Sequence, residues 1–468
     1  MSIPWLPWSG GVFAQARAAS KPVVLFISAT WCRWCDDMER TTWAEPSVQK
    51  LVKDRFVAVR VDADRRPDIF ERYTLGGIPT TAFLNGDGNV VGGGTHVPAS
   101  RMAGVLEQVA AAFASRRDEI ERRALELAPR APAPQGAQVL SSSDLIARVF
   151  DSYDAEHGGF GFSEKFPLTA PLHLALALAP SSGSPFRAIA EQTLDAMRAG
   201  ALYDEVDGGF FRCAASRDWQ NASEEKLLDV NAALLRLYVE AAGVLQSAQC
   251  REIVVDVLRY VQTWLADPVD GGWAGSQRGD RVDRTIYTGW NAQMVSAALR
   301  ASQLLDDSAL GEFAVKSLER VLLASYRPGA GVAHYHDGDA QVRGLLDDQI
   351  QMAAAALDCF DATGNVVYSM MAEELGHYVL RTMWDETDPG FFDRVDDDDE
   401  VGLLRCRAKP FVPNCDAAAL MGRLAAVSGT HEFREKAEAA LSALAAAAPS
   451  HGPLAAHYLL AMRDCGLR

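Results

Sequence analysis

A glycine-containing loop, usually followed by an aromatic residue, recurs through the last two thirds of this 468-residue chain. It stands at Gly159, Gly209, Gly272, Gly331 and Gly390, at intervals of 50, 63, 59 and 59 residues. Each interval has room for two helices, and apolar residues between the loops follow the three- and four-residue spacing of one-sided helices. Helical hairpins of similar length cannot bury their apolar faces singly and are expected to close around a common axis. The repeat therefore predicts an all-α (α/α)6 toroid, with an ordinary helical bundle or solenoid as the alternative.

The N-terminal part has a different pattern. Apolar runs at 23–28, 56–62 and 80–84 are typical of strands, and residues 34–55 between the first two have helical spacing. Asn85-Gly86-Asp87-Gly88 predicts a hairpin turn before the next strand, and a helix follows from about residue 100. The order strand, helix, strand, helix, strand, strand, helix predicts an α/β thioredoxin-like fold.

Residues 127–138 read LAPRAPAPQGAQ, a stretch rich in Pro and Ala and typical of a linker. We therefore predict a multidomain chain, with a thioredoxin-like domain at 1–126, a linker at 127–138 and a helical barrel at 139–468.

The composition, 49% hydrophobic and 23% charged, is typical of a soluble globular protein. The formal net charge of -17 would repel phosphate backbones and anionic lipid headgroups, so we expect neither nucleic acid nor a membrane as partner. The sequence has no basic-then-apolar leader and no long apolar span, which favours a cytoplasmic location. No nucleotide-binding or metal-binding motif stands out, and we expect no cofactor and no metal.

The chemistry of the first domain centres on Cys32-Arg33-Trp34-Cys35, which follows a predicted strand and opens a predicted helix. The positive end of a helix dipole stabilises a thiolate, so we expect Cys32 to be the exposed nucleophile and Cys35 the resolving thiol. Arg33 favours the thiolate and a more oxidising disulfide, whereas Asp36 opposes this effect. Ile78-Pro79 precedes a strand, where a cis peptide would lie beside the dithiol. The predicted catalytic residues are Cys32, Cys35 and Pro79, and the predicted tuning residues are Arg33, Trp31, Trp34 and Asp36.

The alternatives for these cysteines are half of a zinc site, or a pair of thiols that never undergoes redox cycling. A tetrahedral zinc site needs two further ligands, and no second CxxC or nearby histidine pair supplies them. Redox cycling is the favoured interpretation.

The segment WCRWCDDMERTTWAEPSVQKLVKDRFVAVRVDADRRPDI resembles the spermatogenesis-associated protein 20 (YyaL-like) family. Further along, GGFGFSEKFP, TLDAMRAGALYDEVDGGFFR, TIYTGWNAQM and GLLDDQIQMAAAALDCFDATG resemble the helical segments of that family, so the likeness spans most of the chain. The resemblance implies a thioredoxin-like domain joined to an (α/α)6 barrel similar to those of N-acylglucosamine 2-epimerases and six-hairpin glycosidases.

The sequence also departs from the family pattern. Arg33 and Asp36 stand where that family has histidines, and Ser223 replaces a histidine in the barrel segment, although Glu225 and Lys226 remain. A barrel mechanism that needed the histidine at position 223 for proton transfer would be disabled. Phe26 occupies the place where ordinary thioredoxins carry a buried acid.

A barrel ligand would be expected at the glycine–aromatic loops and just after them. Aromatic rings and carboxylates suit a small carbohydrate-like ligand, although such rings are more often loop anchors and such aspartates more often cap helices. The candidate pocket residues are Phe160, Tyr203, Asp204, Phe210, Trp219, Glu225, Lys226, Trp273, Trp290, Asn291, Asp347, Asp348 and Asp416.

Three hypotheses follow. The first is a thiol-disulfide oxidoreductase that acts on a protein thiol or disulfide partner and uses its barrel for recognition. The second is a carbohydrate-active barrel, an epimerase, isomerase or hydrolase, with a docking thioredoxin-like domain. The third is a noncatalytic binding scaffold.

Overall fold

The structure is a computed structural model, and its described residues are 2–117, 119–120, 122, 139–179, 184–397 and 399–467. The predicted linker at 127–138 lies outside them. The chain forms two compact units, the first made of Met1–Ala133 with Asp396–Arg407, and the second of Pro134–Val395 with Ala408–Arg468. A short piece of the sequence region predicted as barrel thus belongs to the first unit.

The elements of the first unit are α1 Gly10–Ala19, β1 Val23–Ser28, α2 Arg33–Arg40, α3 Pro46–Arg55, β2 Val57–Asp62, α4 Pro67–Tyr73, β3 Thr80–Leu84, β4 Val90–Gly94 and α5 Ala99–Ser115. The four strands form a mixed sheet in the order β2-β1-β3-β4. The central strand β1, VVLFIS, is buried at every position, runs parallel to β2 and is antiparallel to β3. This arrangement and the helices around it confirm the predicted thioredoxin-like fold.

The distant segment Asp396–Arg407 contains a short 3-10 turn, Gly402–Arg405, and is held in the first unit by Tyr73. The Tyr73 hydroxyl donates to the carbonyl of Gly88 at 2.7 Å and accepts the backbone N–H of Leu403 at 2.9 Å. Burial raises the pKa of Tyr73, so this hydroxyl keeps the proton that it donates.

The second unit is a ring of helical hairpins. The inner helices are α7 Thr169–Ala177, α9 Leu228–Leu245, α11 Thr288–Leu305, α13 Leu346–Thr363, α15 Phe411–Ser428 and α17 Ala455–Asp464. The outer helices are α6 Ser142–Phe150, α8 Pro185–Ala199, α10 Ala248–Tyr260, α12 Ser308–Ser325, α14 Val366–Met383 and α16 His431–Leu444. Each inner helix packs on the next, and α17 packs on α7, which closes the ring. An outer helix follows each of α7, α9, α11, α13 and α15 and packs against it, while α6, at the start of the unit, packs against α17.

Small side chains explain why the inner helices approach each other closely. In α11, for example, Ala292, Ala297, Ala298 and Ala301 are all buried. A helix that is apolar on more than one side is stable only when neighbours cover it, as they do inside this ring. The closed ring confirms the predicted (α/α)6 toroid.

Short strands join the hairpins. They form one three-stranded and one four-stranded sheet, and none interrupts the inner ring. These strands are β5 Glu225–Leu227, β6 Ser276–Arg278, β7 Arg281–Asp283, β8 Ile286–Tyr287, β9 Tyr326–Arg327, β10 Gly331–Asp337 and β11 Asp339–Arg343. The unit also contains a π-helical turn at Val261–Leu265 and a 3-10 segment at Ala448–Leu454. Among the described residues of the chain, no helix has both the length and the apolar character needed to cross a membrane.

Candidate functional site

The two cysteines of the first unit form a disulfide at the start of α2. Strand β1 ends at Ser28, a short loop follows, and Cys32 is the N-cap of the helix. The Cys32 Sγ accepts the backbone N–H of Cys35 at 3.1 Å. An N–H group of the first helical turn therefore already points at the sulfur that would carry negative charge as a thiolate, as the sequence predicted.

The exposure of the disulfide differs from the prediction. Cys32 was expected to be the exposed thiol, but it is only 3% exposed, and Cys35 is 1% exposed. In this oxidised form the Cys32 sulfur is bonded to Cys35 and turned toward the first turn of α2, which removes it from solvent.

The loop after β2 holds the loop before the disulfide. The Trp31 indole donates to the Asp64 carboxylate at 2.7 Å, and the Thr30 hydroxyl donates to Asp62 at 3.3 Å. Because β1 and β2 are parallel, with Ser28 beside Asp62, their carboxyl ends meet at one edge of the sheet. Sequence reasoning missed both carboxylates, although the acidic run directly after a predicted strand was a usable signal.

The bond between Ile78 and Pro79 is cis, as predicted. Strand β3 begins at the next residue, and Thr80 pairs with Ile27 near the carboxyl end of β1. Pro79 therefore lies at the same edge of the sheet as the loop that leads to Cys32.

Two aromatic side chains of this region differ in their exposure. Trp34 is 58% exposed, its ring contacts His96 edge to face, and the Arg33 guanidinium lies 5.9 Å from its centroid. Phe26, in β1, is fully buried against Trp43. No acid occupies the place of Phe26, and the predicted effects of Arg33 and Asp36 on the redox potential stay predictions.

In the second unit, four of the glycine loops share one design. An aspartate stands five residues before Gly159, Gly209, Gly272 and Gly390, and it accepts the backbone N–H groups two and three residues after itself. A cation bridges the same aspartate and a carbonyl of the loop. The aspartate–cation pairs are Asp154–Lys165, Asp204–Lys226, Asp267–Arg320 and Asp385–Lys409.

These contacts give loop-holding roles to three predicted pocket residues. Lys226 donates to the Asp204 carboxylate at 2.6 Å and to the carbonyl of Gly208 at 2.7 Å. Asn291, fully buried, accepts the N–H of Trp273 and donates to the carbonyls of Trp273 and Tyr287. Each polar group is used to fix a loop on a helix and is not directed at a ligand.

The predicted aromatic platforms are buried. Phe160, Phe210, Trp219 and Trp273 are each at most 5% exposed, so their faces cannot stack on a sugar. They anchor the loops because burying an apolar ring between the helices, next to a tight glycine turn, removes its surface from water and stabilises the fold.

Three other predicted residues have structural partners. The Tyr203 hydroxyl donates to Asp256 at 2.5 Å, Glu225 accepts from Arg212 at 2.6 Å, and the ring of the half-buried Trp290 packs on Tyr287.

A cavity of about 300 Å³ lies inside the ring, and all the inner helices contribute to its wall. Of the predicted pocket residues, Asp416 lines this cavity. Sequence reasoning missed the other charged wall residues, whose signal was a charged side chain within an otherwise apolar helix. Each inner helix contributes a polar residue to the cavity wall, and one from each helix, in chain order, is His173, Arg236, Gln293, Asp358, Asp416 and His457.

Two histidine–carboxylate pairs lie on the cavity wall. His173 Nδ1 is 2.5 Å from Glu240, and His457 Nδ1 is 3.0 Å from Asp416. Burial lowers the pKa of His173, which favours the neutral imidazole. The hydrogen bond with His173 holds the pKa of Glu240 below its ordinary value, although burial alone would raise it. In both pairs the carboxylate orients the imidazole through Nδ1 and leaves Nε2 for other contacts.

A third pair, His334 Nδ1 with Asp348 at 2.9 Å, lies beside Asp347 on the first turn of α13. The side chain of Asp347 is exposed, but the protein mass around it raises its pKa to about 7, and the nearby carboxylates of Asp348 and Asp416 add to the shift. Asp347 thus lies close enough to Asp416 for their charges to interact.

Comparisons with known proteins agree with both folds. Residues 1–130 match the family profile Thioredox_DsbH, described as a protein of unknown function, DUF255. A shorter similarity is found to the thiol:disulfide interchange protein DsbD of Cronobacter sakazakii, with 33% identity over 106 residues, which is 22% of this chain and 17% of that protein.

Over a greater length the chain is similar to spermatogenesis-associated protein 20 of Homo sapiens, with 26% identity over 359 residues, or 69% of this chain and 45% of that protein. The chain spans about half the length of the curated relatives that it matches. Among solved structures, the cellobiose 2-epimerase of Bacillus thermoamylovorans superposes with a TM-score of 0.56 at 10% identity, covering 64% of this chain and 83% of the epimerase. The chain therefore has a thioredoxin-like unit and an (α/α)6 barrel, and it is similar over two thirds of its length to spermatogenesis-associated protein 20.

Proposed function

We propose that the first unit catalyses thiol–disulfide exchange with protein partners through Cys32 and Cys35. The observation that carries this proposal is the Cys32–Cys35 disulfide at the N-terminus of α2, at the same sheet edge as Pro79. The similarity to a thiol:disulfide interchange protein supports it.

The reaction needs only the two sulfurs. In the reduced unit the Cys32 thiolate attacks one sulfur of a partner disulfide, and the other partner sulfur leaves as a thiolate. Cys35 then loses its proton and attacks the Cys32 sulfur, which releases the second partner thiolate. The partner gains two electrons, and this chain acquires the disulfide. The reverse sequence oxidises a partner dithiol.

The first experiment is a redox titration of the full chain in glutathione buffers, with thiol trapping and mass analysis of the peptide that contains both cysteines. We expect a reversible two-electron couple between about -120 and -270 mV, the range of known dithiol oxidoreductases. Cys35→Ser should accumulate a mixed disulfide at Cys32, because the resolving thiol is gone. Cys406→Ser is the matched control, since Cys406 is an exposed cysteine of the same unit that does not belong to the pair.

A dithiol that cannot be reoxidised reversibly, or a Cys35→Ser variant that never traps a partner, would contradict this function.

For the second unit we propose a binding cavity for a small carbohydrate, in which the histidines can transfer protons. Two imidazoles on the wall of one cavity, each oriented by a carboxylate, favour this proposal. A neutral imidazole can remove a proton from a carbon next to a sugar carbonyl and return it, which is the proton transfer needed in epimerisation or isomerisation. The fold likeness to a cellobiose 2-epimerase agrees with this proposal.

Solvent deuterium provides the test. A panel of neutral and acidic monosaccharides is incubated with the protein in D₂O, and we expect NMR to show deuterium at the carbon beside the carbonyl of a bound sugar. His457→Asn should lower the exchange rate by about 100-fold or more, because a general base contributes about 10²- to 10⁴-fold, while binding persists. His431→Asn, on outer helix α16, is the control. Absence of binding by every sugar of the panel would overturn the proposal.

A further inference from the structure

Four inner helices, α9, α11, α13 and α15, begin with the same contact. Near its start each carries a side-chain amide that accepts the backbone N–H of a loop residue and donates to the carbonyl of that residue. The same amide also donates to the carbonyl four residues before itself. This contact aligns the four helices residue by residue. The amides belong to Asn231, Asn291, Gln349 and Asn414.

The residue two positions before each amide faces the barrel cavity. Two residues of an α-helix are about 200° apart, so this side chain points away from the loop that the amide binds. One turn further along the helix, on the same face, the aligned residues Ala233, Gln293, Gln351 and Asp416 all line the cavity. The residues two positions before the amides form the rim of the cavity, and they are Asp229, Gly289, Asp347 and Val412.

Two of the rim residues are acids on helices that flank α11. A β-carbon added at Gly289 would lie 3.4 Å from Asp347 Oδ2, so this carboxylate lies over the first turn of α11. Gln351, on the cavity wall, donates to the same carboxylate at 3.4 Å. Asp229 is on the first turn of α9, which packs on the other side of α11. Because packed helices have axes about 8–10 Å apart, one sugar ring at the cavity can reach both acids.

Both acids titrate near neutral pH. Burial raises the pKa of Asp229 to about 6, and its Oδ1 is buried without a hydrogen-bond partner among the described residues. The protein around Asp347 and the charges of Asp348 and Asp416 raise the pKa of Asp347 to about 7. Near pH 7 Asp229 is therefore mostly ionised while much of Asp347 is protonated, the states of a general base and a general acid.

Proton transfer by the cavity histidines needs a sugar in its open-chain form, because only that form has a carbonyl. Simple sugars in water are almost entirely cyclic, so the ring has to be opened first. We infer that Asp229 and Asp347 open the ring of a neutral aldose, which gives the barrel a mutarotase activity. This inference rests on the proposed sugar binding by the barrel and adds an activity to it. A neutral sugar is favoured because Asp348 and Asp416 would repel an anionic one.

The step uses only the two carboxyl groups. The Asp229 carboxylate takes the proton of the anomeric hydroxyl, the bond between the anomeric carbon and the ring oxygen breaks, and the ring oxygen takes the proton of Asp347. The anomeric carbon becomes the carbonyl carbon. Return of both protons closes the ring on either face of that carbonyl, so the two anomers interconvert without oxidation or reduction.

Polarimetry of the full chain with freshly dissolved α anomers of D-glucose, D-mannose and D-galactose tests the inference. We expect the approach to anomeric equilibrium to accelerate in proportion to protein concentration for a sugar that binds. Asp229→Asn and Asp347→Asn should each lower the catalysed rate by about 100-fold or more, because a general acid or base contributes about 10²- to 10⁴-fold. Asp306→Asn is the matched control, since Asp306 is at the opposite end of α11 from the rim, and it should leave the rate unchanged.

Calorimetry shows which sugars bind, and circular dichroism shows whether each variant is folded. Asp347→Glu keeps a carboxyl, should retain more of the rate than Asp347→Asn, and provides a second reading if an amide variant does not fold.

A bound sugar whose anomers equilibrate at the uncatalysed rate would overturn the inference and leave the sugar-binding proposal in place. Unchanged catalysis in both amide variants would also overturn it. Failure of all three sugars to bind would overturn the neutral-aldose class, and acidic sugars would then decide the sugar-binding proposal separately. Mutarotation without deuterium exchange would support this inference and contradict proton transfer by the histidines.

Discussion

Lys165 is a charged residue with no contact to solvent. Its ammonium donates to the Asp154 carboxylate at 2.9 Å and to the carbonyl of Gly158 at 2.8 Å, and both charged side chains are 0% exposed. Arg217 binds the same carboxylate from the outside with two hydrogen bonds. Burial alone would raise the pKa of Asp154, but the hydrogen bonds from Arg217 and Lys165 outweigh it and hold the pKa below its ordinary value.

We expect Lys165→Met to lower the free energy of unfolding by about 2–4 kcal/mol, because a buried ion pair is broken and the Gly158 carbonyl is left unpaired. Arg217→Met should lower the free energy of unfolding by clearly less, because the Arg217 side chain is 38% exposed and Lys165 still binds the carboxylate. Urea unfolding monitored by circular dichroism measures both. Equal losses of unfolding free energy in the two variants would contradict the larger stabilisation expected from the buried Lys165–Asp154 ion pair.

The stabilisation that Asp154 gives to the fold also depends on pH. Because its folded pKa lies below the unfolded value, the stabilisation is complete above about pH 4 and is lost as the pH falls toward the folded value.

Among the elements, the helices of the barrel were predictable and its cavity was not. Recurrent glycines and apolar spacing in the sequence were sufficient to indicate the hairpins. The aspartate five residues before Gly159, Gly209, Gly272 and Gly390 was equally visible in the sequence, but its role as the holder of a turn needs the backbone N–H groups to be located.

The cavity was missed for a different reason. Which face of an inner helix looks inward depends on how the ring closes, and His173 and Glu240 meet across 67 residues of sequence. The dithiol, in contrast, could be predicted from the sequence, since Cys32, Cys35 and Pro79 lie in short local motifs whose geometry follows from one strand and one helix. Asp62 and Asp64 were visible in the sequence at the end of a predicted strand, but their contacts with Thr30 and Trp31 required the strand register, which local spacing does not provide.

At the scale of the whole molecule, the first unit is built from two distant parts of the chain. Tyr73 joins them, because its buried hydroxyl bonds both Gly88 and Leu403. We expect Tyr73→Phe to lower the free energy of unfolding of the first unit by about 1–3 kcal/mol, since a buried carbonyl and a backbone N–H lose their partner.

Hydrogen exchange read by mass spectrometry, which resolves the first unit from the second, is the measurement for Tyr73→Phe. Tyr326→Phe is the control, because the Tyr326 hydroxyl makes no hydrogen bond with the described residues. Unchanged protection around Gly88 and Leu403 would contradict the role given to Tyr73.

The segment Asp396–Arg407 also matters for biosynthesis. About 280 residues separate the end of α5 from Asp396. At about 5–20 residues per second, a ribosome needs roughly 15–55 s to translate them. The thioredoxin-like unit thus emerges first but receives its last piece only after most of the barrel has been made. During that interval the nascent chain presents Cys32 and Cys35 to cellular oxidants and reductants before the unit that surrounds them is complete.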